Sequence, residues 1–130
     1  MLALLSQAYL GANDVSRARA RAEEAIARAQ AQGTLFFECL AQLALARALR
    51  AEQGVSAGDA IETCLVRALE LVRETAGRVL EPQIIEEQAR LAALRGDATG
   101  AAAELQRAHE VYVEIGATGH AERLRKELGS

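Results

Sequence analysis

Apolar residues recur along this chain with the period of an α-helix. Ile61, Leu65, Ala68 and Val72 fall at i, i+4, i+7 and i+11, and Ala101, Leu105, Ala108, Tyr112 and Ile115 repeat that pattern. Such a stripe runs down one face of a helix with 3.6 residues per turn. Ala18, Ala22, Ala25 and Ala29 do the same with smaller side chains. Period-two alternation is not sustained anywhere, which argues against strands. Turn-forming clusters interrupt the pattern at residues 11–14, 32–34, 53–59, around Gly77, at 96–97 and at 116–119. Between them the pattern predicts helices over roughly 2–10, 14–31, 34–52, 58–76, 82–95 and 98–115, and a short last one over about 119–128.

Capping residues fit these boundaries. Asp14 and Asp97 stand where an N-cap is expected, with Asp59 near such a place. Thr34 precedes a helix, and Glu38 follows one position later than a capping-box carboxylate would. Pro82, the single proline, falls in the first turn of its helix, where a missing N–H costs nothing.

The helices pair and the pairs repeat. Asn13-Asp14 and Gly96-Asp97 each close a short turn and are followed by small residues at matched offsets. Their separation of about 83 residues equals two periods of roughly 41, a length that belongs to helical-hairpin solenoids. The expected organisation is one domain over 1–130, with hairpins at about 1–31, 34–76 and 82–115 and a C-terminal helix at about 119–128.

These residues resemble the tetratricopeptide pattern. In the third hairpin Ala89 stands at the small position of the first helix, Gly96-Asp97 at the turn, and Ala101 and Ala108 at the small positions of the second helix. The first hairpin keeps Tyr9, Ala18 and Ala25 at the corresponding places, whereas the middle one has a turn lengthened by residues 55–58 and keeps Ala68. The resemblance implies an all-α, tetratricopeptide-like right-handed superhelix of about three antiparallel hairpins plus a short C-terminal helix, with those residues packing the repeats. It also implies that the first helix of each pair lines a concave face.

A second resemblance lies in residues 105–124, whose Glu114-Ile115-Gly116-Ala117-Thr118-Gly119-His120-Ala121-Glu122-Arg123-Leu124 segment is similar to the C-terminal end of large bacterial signalling proteins. Those proteins join a class III adenylate/guanylate cyclase domain, or a LuxR/MalT-type DNA-binding domain, to a P-loop ATPase and a tetratricopeptide-like tail. No GxxxxGK[ST] segment occurs here, so the ATPase activity is not carried over. Met1 to Leu5 begins inside an apolar run without a cap, while Arg123, Arg125, Lys126 and Glu127 give the last helix a polar side. The expectation is a fragment cut from a larger protein at the front and ending naturally at the back.

Composition narrows the function classes. Hydrophobic residues make up 51% of the chain but aromatics only 3%, so the core must be built from Ala and Leu, which favour closely approaching helices. A net charge of -3 argues against a dedicated nucleic-acid binder, whose affinity rests on phosphate neutralisation. No apolar run reaches the roughly 18 residues of a membrane span and no signal peptide is evident, so a cytoplasmic setting is expected. Cys39 and Cys64 are offset by on the order of 10 Å across the middle hairpin, at 1.5 Å per residue, so both read as small core residues.

Candidate chemistry is sparse. His109 and His120 lack carboxylate partners at metal-ligand spacing and read as surface and loop or capping residues. Glu23/Glu24 and Glu86/Glu87 are adjacent, diverge around the helix, and read as solvated faces, with Glu24–Arg28 and Glu86–Arg90 as i,i+4 pairs. Arg17, Arg19 and Arg21 form a basic stripe without interleaved aromatics, which suits a solvated or partner-facing surface better than nucleic acid. Of the adjacent Phe36 and Phe37, one is expected to pack inward and the other to meet a partner, together with Arg47.

The expected function is therefore a non-catalytic protein–protein interaction or regulatory module, with no cofactor, metal, membrane or direct nucleic-acid role. Its partner is another protein or the other domains of its parent, and homodimerisation through the N-terminal helix is a further expectation. The alternative is a small-effector-sensing domain of a MalT/LuxR-type transcriptional regulator.

Overall fold

A computed structural model describes residues 14–75 and 78–129. The expected helix over 2–10, its association face and Tyr9 lie outside the described residues. Among the described residues there are six α-helices, one 3-10 helix and no strand: α1 (Val15–Gln32), α2 (Leu35–Gln53), a 3-10 turn (Gly54–Ala57), α3 (Gly58–Thr75), α4 (Glu81–Leu94), α5 (Ala98–Glu114) and α6 (Thr118–Leu128). Each of the six expected spans within the described residues is met to within a residue or so, and the extra residues of the middle turn form the 3-10 segment. The chain divides into two compact units, Met1–Gly77 and Arg78–Ser130.

In the first unit α2 packs on α1 and on α3. A helix with a neighbour on each side must be apolar on more than one face. Cys39, Ala41, Leu43, Ala44, Ala46, Ala48 and Leu49 of α2 are accordingly all buried. The α1–α2 contact is built from alanine: Ala22, Ala41 and Ala44, flanked by Ala25, Ile26, Leu40 and Leu45. Such side chains let two backbones approach closely with almost no rotamer entropy to lose. Ala18 and Ala22 are fully buried and Ala25 partly so. The α3 stripe of Ile61, Leu65, Ala68 and Val72 is buried as its period requires, joined by Leu71 and Cys64.

The α1–α2 turn closes on Gly33, whose φ of 69° is left-handed, so that its N–H and that of Thr34 reach back to the last carbonyls of α1. Thr34 makes no side-chain cap to α2; its hydroxyl donates instead to the Ala29 carbonyl at 3.4 Å.

The second unit is built on α5, which packs on α4 and α6. Ile85, Ala108, Tyr112, Ala121 and Leu124 form one buried cluster with side chains from all three helices. Ala89 and Ala101 are also buried. Asp97 caps α5, its carboxylate accepting the Gly100 N–H at 2.8 Å, and Asp14 caps α1 more loosely through the Arg17 N–H at 3.3 Å.

Candidate functional site

Two buried carboxylates organise the units, and neither is on a solvated face. Glu38 lies in the first turn of α2 and is 2% exposed. Its side chain is bound by the Arg67 guanidinium of α3 in a two-pronged contact, Nε to Oε2 at 3.0 Å and Nη2 to Oε1 at 3.3 Å. The Gln30 amide at the end of α1 donates to Glu38 at 3.3 Å, and the Gln42 amide one turn along α2 donates at 3.5 Å. Glu38 is thus the hub of the three helices rather than the capping residue its spacing suggested. Arg67 chiefly, aided by the two amides and opposed by burial, holds the Glu38 carboxyl below the ordinary carboxylate range.

Above this hub lies an open groove of about 460 Å³ lined by Gln30, Gln42, Glu62, Thr63, Val66, Arg67 and Glu70. It lies mainly on α3, with Gln30 from the end of α1; the first helix of the hairpin, α2, contributes only Gln42. Arg67 also reaches Glu70 at 3.5 Å, and half-exposed Val66 supplies the apolar part of the wall.

In the second unit Glu86 and Glu87 are both buried, contrary to the solvated face expected of adjacent carboxylates. The two side chains still diverge by about 100°, but at Glu86 partners from other helices replace water. The buried Tyr112 hydroxyl of α5 donates to Glu86, and Arg123 of α6 donates to it at 2.9 Å. Arg90 does not form its hydrogen bonds with Glu86; it grips Glu127 of α6 with contacts of 2.7 and 3.1 Å. His120, in the first turn of α6 and exposed, stacks on Tyr112 with ring centroids 4.7 Å apart. Among the described residues no group of three or more His, Cys, Asp or Glu is arranged to hold a metal ion.

Phe36 and Phe37 both stand exposed, by 40% and 53%, and pack edge-to-face on each other at 5.8 Å. The inward-facing member of the pair does not materialise, because they occupy the exposed first turn of α2, ahead of the buried stretch that starts at Glu38. With Leu35 they leave a short apolar patch beside the α1–α2 turn. Arg47 is half-buried further along α2, and neither it nor the phenylalanines line the groove.

The basic stripe of α1 is taken up by nearby carboxylates. Arg17 lies 3.4 Å from Asp14, Arg21 3.0 Å from Glu24, and Arg19 reaches across to Glu52 of α2 at 2.9 Å. The expected Glu24–Arg28 pair is present at 3.7 Å. Cys39 and Cys64 are separate buried thiols, each pushed up to about 11 by burial, and Cys39 donates to the Ala68 carbonyl.

No family model, no curated protein and no solved structure matches the chain. No helix among the described residues is long and apolar enough to cross a membrane.

Proposed function

We propose that this chain is a tetratricopeptide-like module that holds other protein surfaces, without chemistry of its own, at the C-terminal end of a larger bacterial signalling protein. The observation that carries the reading is the packing within each unit. Within each unit the helices lie against their neighbours in sequence, α1 on α2 and α2 on α3 in the first, α4 on α5 and α5 on α6 in the second. Alanines sit at those contacts, as the repeat pattern requires. Stacked hairpins of this kind form a right-handed superhelix whose faces present side chains to a partner.

The partner is either the rest of the parent protein, a cyclase or an ATPase-linked regulator in the cytoplasm, or a separate protein. The exposed Phe36 and Phe37 are its apolar anchors, with Arg47 assigned to the same contact. Residues 1–9 provide a second contact, between copies of the chain. A groove that is open and lacks an aromatic lining suits a protein segment better than an enclosed small effector.

Two measurements test this. The reading frame upstream of Met1 should continue into helical repeats and an output domain. Titration calorimetry of the chain against those upstream domains should show saturable binding, weakened about tenfold or more by a Phe36→Ser/Phe37→Ser double variant, as for an aromatic anchor. An upstream stop codon, or no binding to any domain so encoded, overturns the reading.

A further inference from the structure

Arg123 divides one nitrogen, Nη2, between two neighbours. It donates to the buried Glu86 of α4 at 2.9 Å and lies 3.2 Å from Nδ1 of His120, one turn earlier on α6. A guanidinium carries N–H groups and no acceptor, so in that contact His120 receives. The ring is therefore neutral, with its proton on Nε2. It lies flat on the Tyr112 ring, centroids 4.7 Å apart and planes 12° from parallel, and the Tyr112 hydroxyl donates to the same Glu86. His120, Arg123, Tyr112 and Glu86 thus tie α6, α5 and α4 together in one cluster.

A proton on Nδ1 puts a donor where Arg123 requires an acceptor, and sets two cations 3.2 Å apart. The helix end opposes that proton as well. His120 is the third residue of α6, whose N-cap, Ala117, makes no side-chain cap, so the first N–H groups keep their partial positive charge. Against these stands the face of Tyr112, which attracts a cation more weakly than a full charge at hydrogen-bond distance repels one. Glu86 adds little, since Arg123 and Tyr112 already share its charge. Elsewhere along α6, Arg90 of α4 is bound to Glu127, which also feels the charge of Arg123, and His109 of α5 faces Glu122, which is bound to Arg125.

We infer that His120 is an acid-sensitive latch on α6: neutral, it holds Arg123 on Glu86; protonated, it loosens the start of α6 and uncovers the Tyr112 ring. Little else fastens that end. Ala121 and Leu124 are the side chains α6 buries, and its second bridge, Arg90–Glu127, lies at the far end. Histidine is the side chain that ordinarily changes charge between about pH 5 and 8. The latch is therefore closed at the top of that range and is lost as pH falls through it. This device belongs to the second unit alone and stands apart from the protein-holding role.

The test is NMR on the full chain from about pH 8 to about pH 5.5, a window set by histidine and lying above the ordinary carboxylate value of 4.5. At the upper end the His120 ring nitrogens should show the Nε2–H tautomer. Across the window the hydrogen-exchange protection factors of the α6 amides should fall roughly threefold, the scale of one exposed charge contact. Those of 14–75, which contains no histidine, should hold. His120→Phe keeps a stacked ring without a titrating nitrogen and should abolish the fall, whereas His109→Gln should leave it in full. An Nδ1–H tautomer at the upper end, or protection that does not fall, overturns the latch. So does a fall that survives His120→Phe or disappears in His109→Gln.

Discussion

Glu38 and Glu86 offer a comparison between the two units. Each lies near the start of a helix, each is buried, and each is held by an arginine from another helix. They differ in what completes the site. Glu38 takes two side-chain amides besides Arg67, and Arg67 stays 37% exposed in the wall of a groove. Glu86 takes a buried phenol, and its arginine arrives from α6, which is fastened a second time by Arg90 and Glu127. The same device therefore leaves an open, polar groove in one unit and clamps a terminal helix in the other. A buried carboxylate alone does not reveal which; the partners decide.

The largest expected effect comes from breaking the clamp. Tyr112→Ala removes the largest fully buried side chain among the described residues and takes the buried phenol from Glu86, which should cost about 3–5 kcal/mol. Hydrogen exchange should show lost protection across 78–129 while 14–75 keeps its own. Equal loss in both would mean that the units unfold as one. Should Tyr112→Ala fail to fold, Tyr112→Phe removes only the hydroxyl and should cost about 1–3 kcal/mol.

The next test sets the carboxylates against each other. Glu38→Gln and Glu86→Gln should each cost about 1–3 kcal/mol in urea melts, with Glu86 the dearer. Tyr112 has no route to water once its acceptor is weakened, whereas the exposed part of Arg67 can be solvated. An equal or reversed order would break the contrast between clamp and groove.

Much of this was legible in the residues. Helix spans, the Asp14 and Asp97 caps, the buried alanines and the two separate thiols all follow from local rules of period and capping. The buried carboxylates do not, because their arginine and tyrosine partners lie 26 to 37 residues away in sequence. A signal was nonetheless present: Glu38 and Gln42 are in phase with Leu45 and Leu49, and Glu86 is in phase with Pro82 and Ala89. A polar residue at a core phase calls for a buried partner, and adjacency of Glu86 and Glu87 obscured it. Phe36 and Phe37 err in the other direction, since periodicity cannot say which turn of an apolar helix overhangs its neighbours.

Acid should test the Glu38 site more gently. The folded Glu38 carboxyl titrates below its ordinary value of 4.5, so its contribution is complete above that pH. As pH falls below 4.5 the unfolded chain binds its proton first, and the contribution fades until the folded carboxyl is protonated too. Glu38→Gln should remove this portion of the acid sensitivity of residues 14–75, read from melting temperature against pH. An unchanged slope would show that Arg67 does not stabilise the ionised form.

The smallest expected effect compares the two aspartate caps. Asp97 binds the Gly100 N–H at 2.8 Å and Asp14 the Arg17 N–H at 3.3 Å, so Asp97→Ala should cost about 1 kcal/mol and Asp14→Ala less. The closer cap depends on glycine: a Cβ at residue 100 would fall 2.1 Å from the Asp97 Oδ2 and force the carboxylate off its N–H. Gly100→Ala therefore gains up to about 1 kcal/mol of helix propensity and loses a cap of similar size, for a net change near zero. In that background Asp97→Ala should become nearly silent, a coupling of about 1 kcal/mol between neighbours in contact. If instead Asp97→Ala costs the same with and without Gly100→Ala, the cap does not rest on the missing side chain. The tighter closure of the second unit would then need another cause.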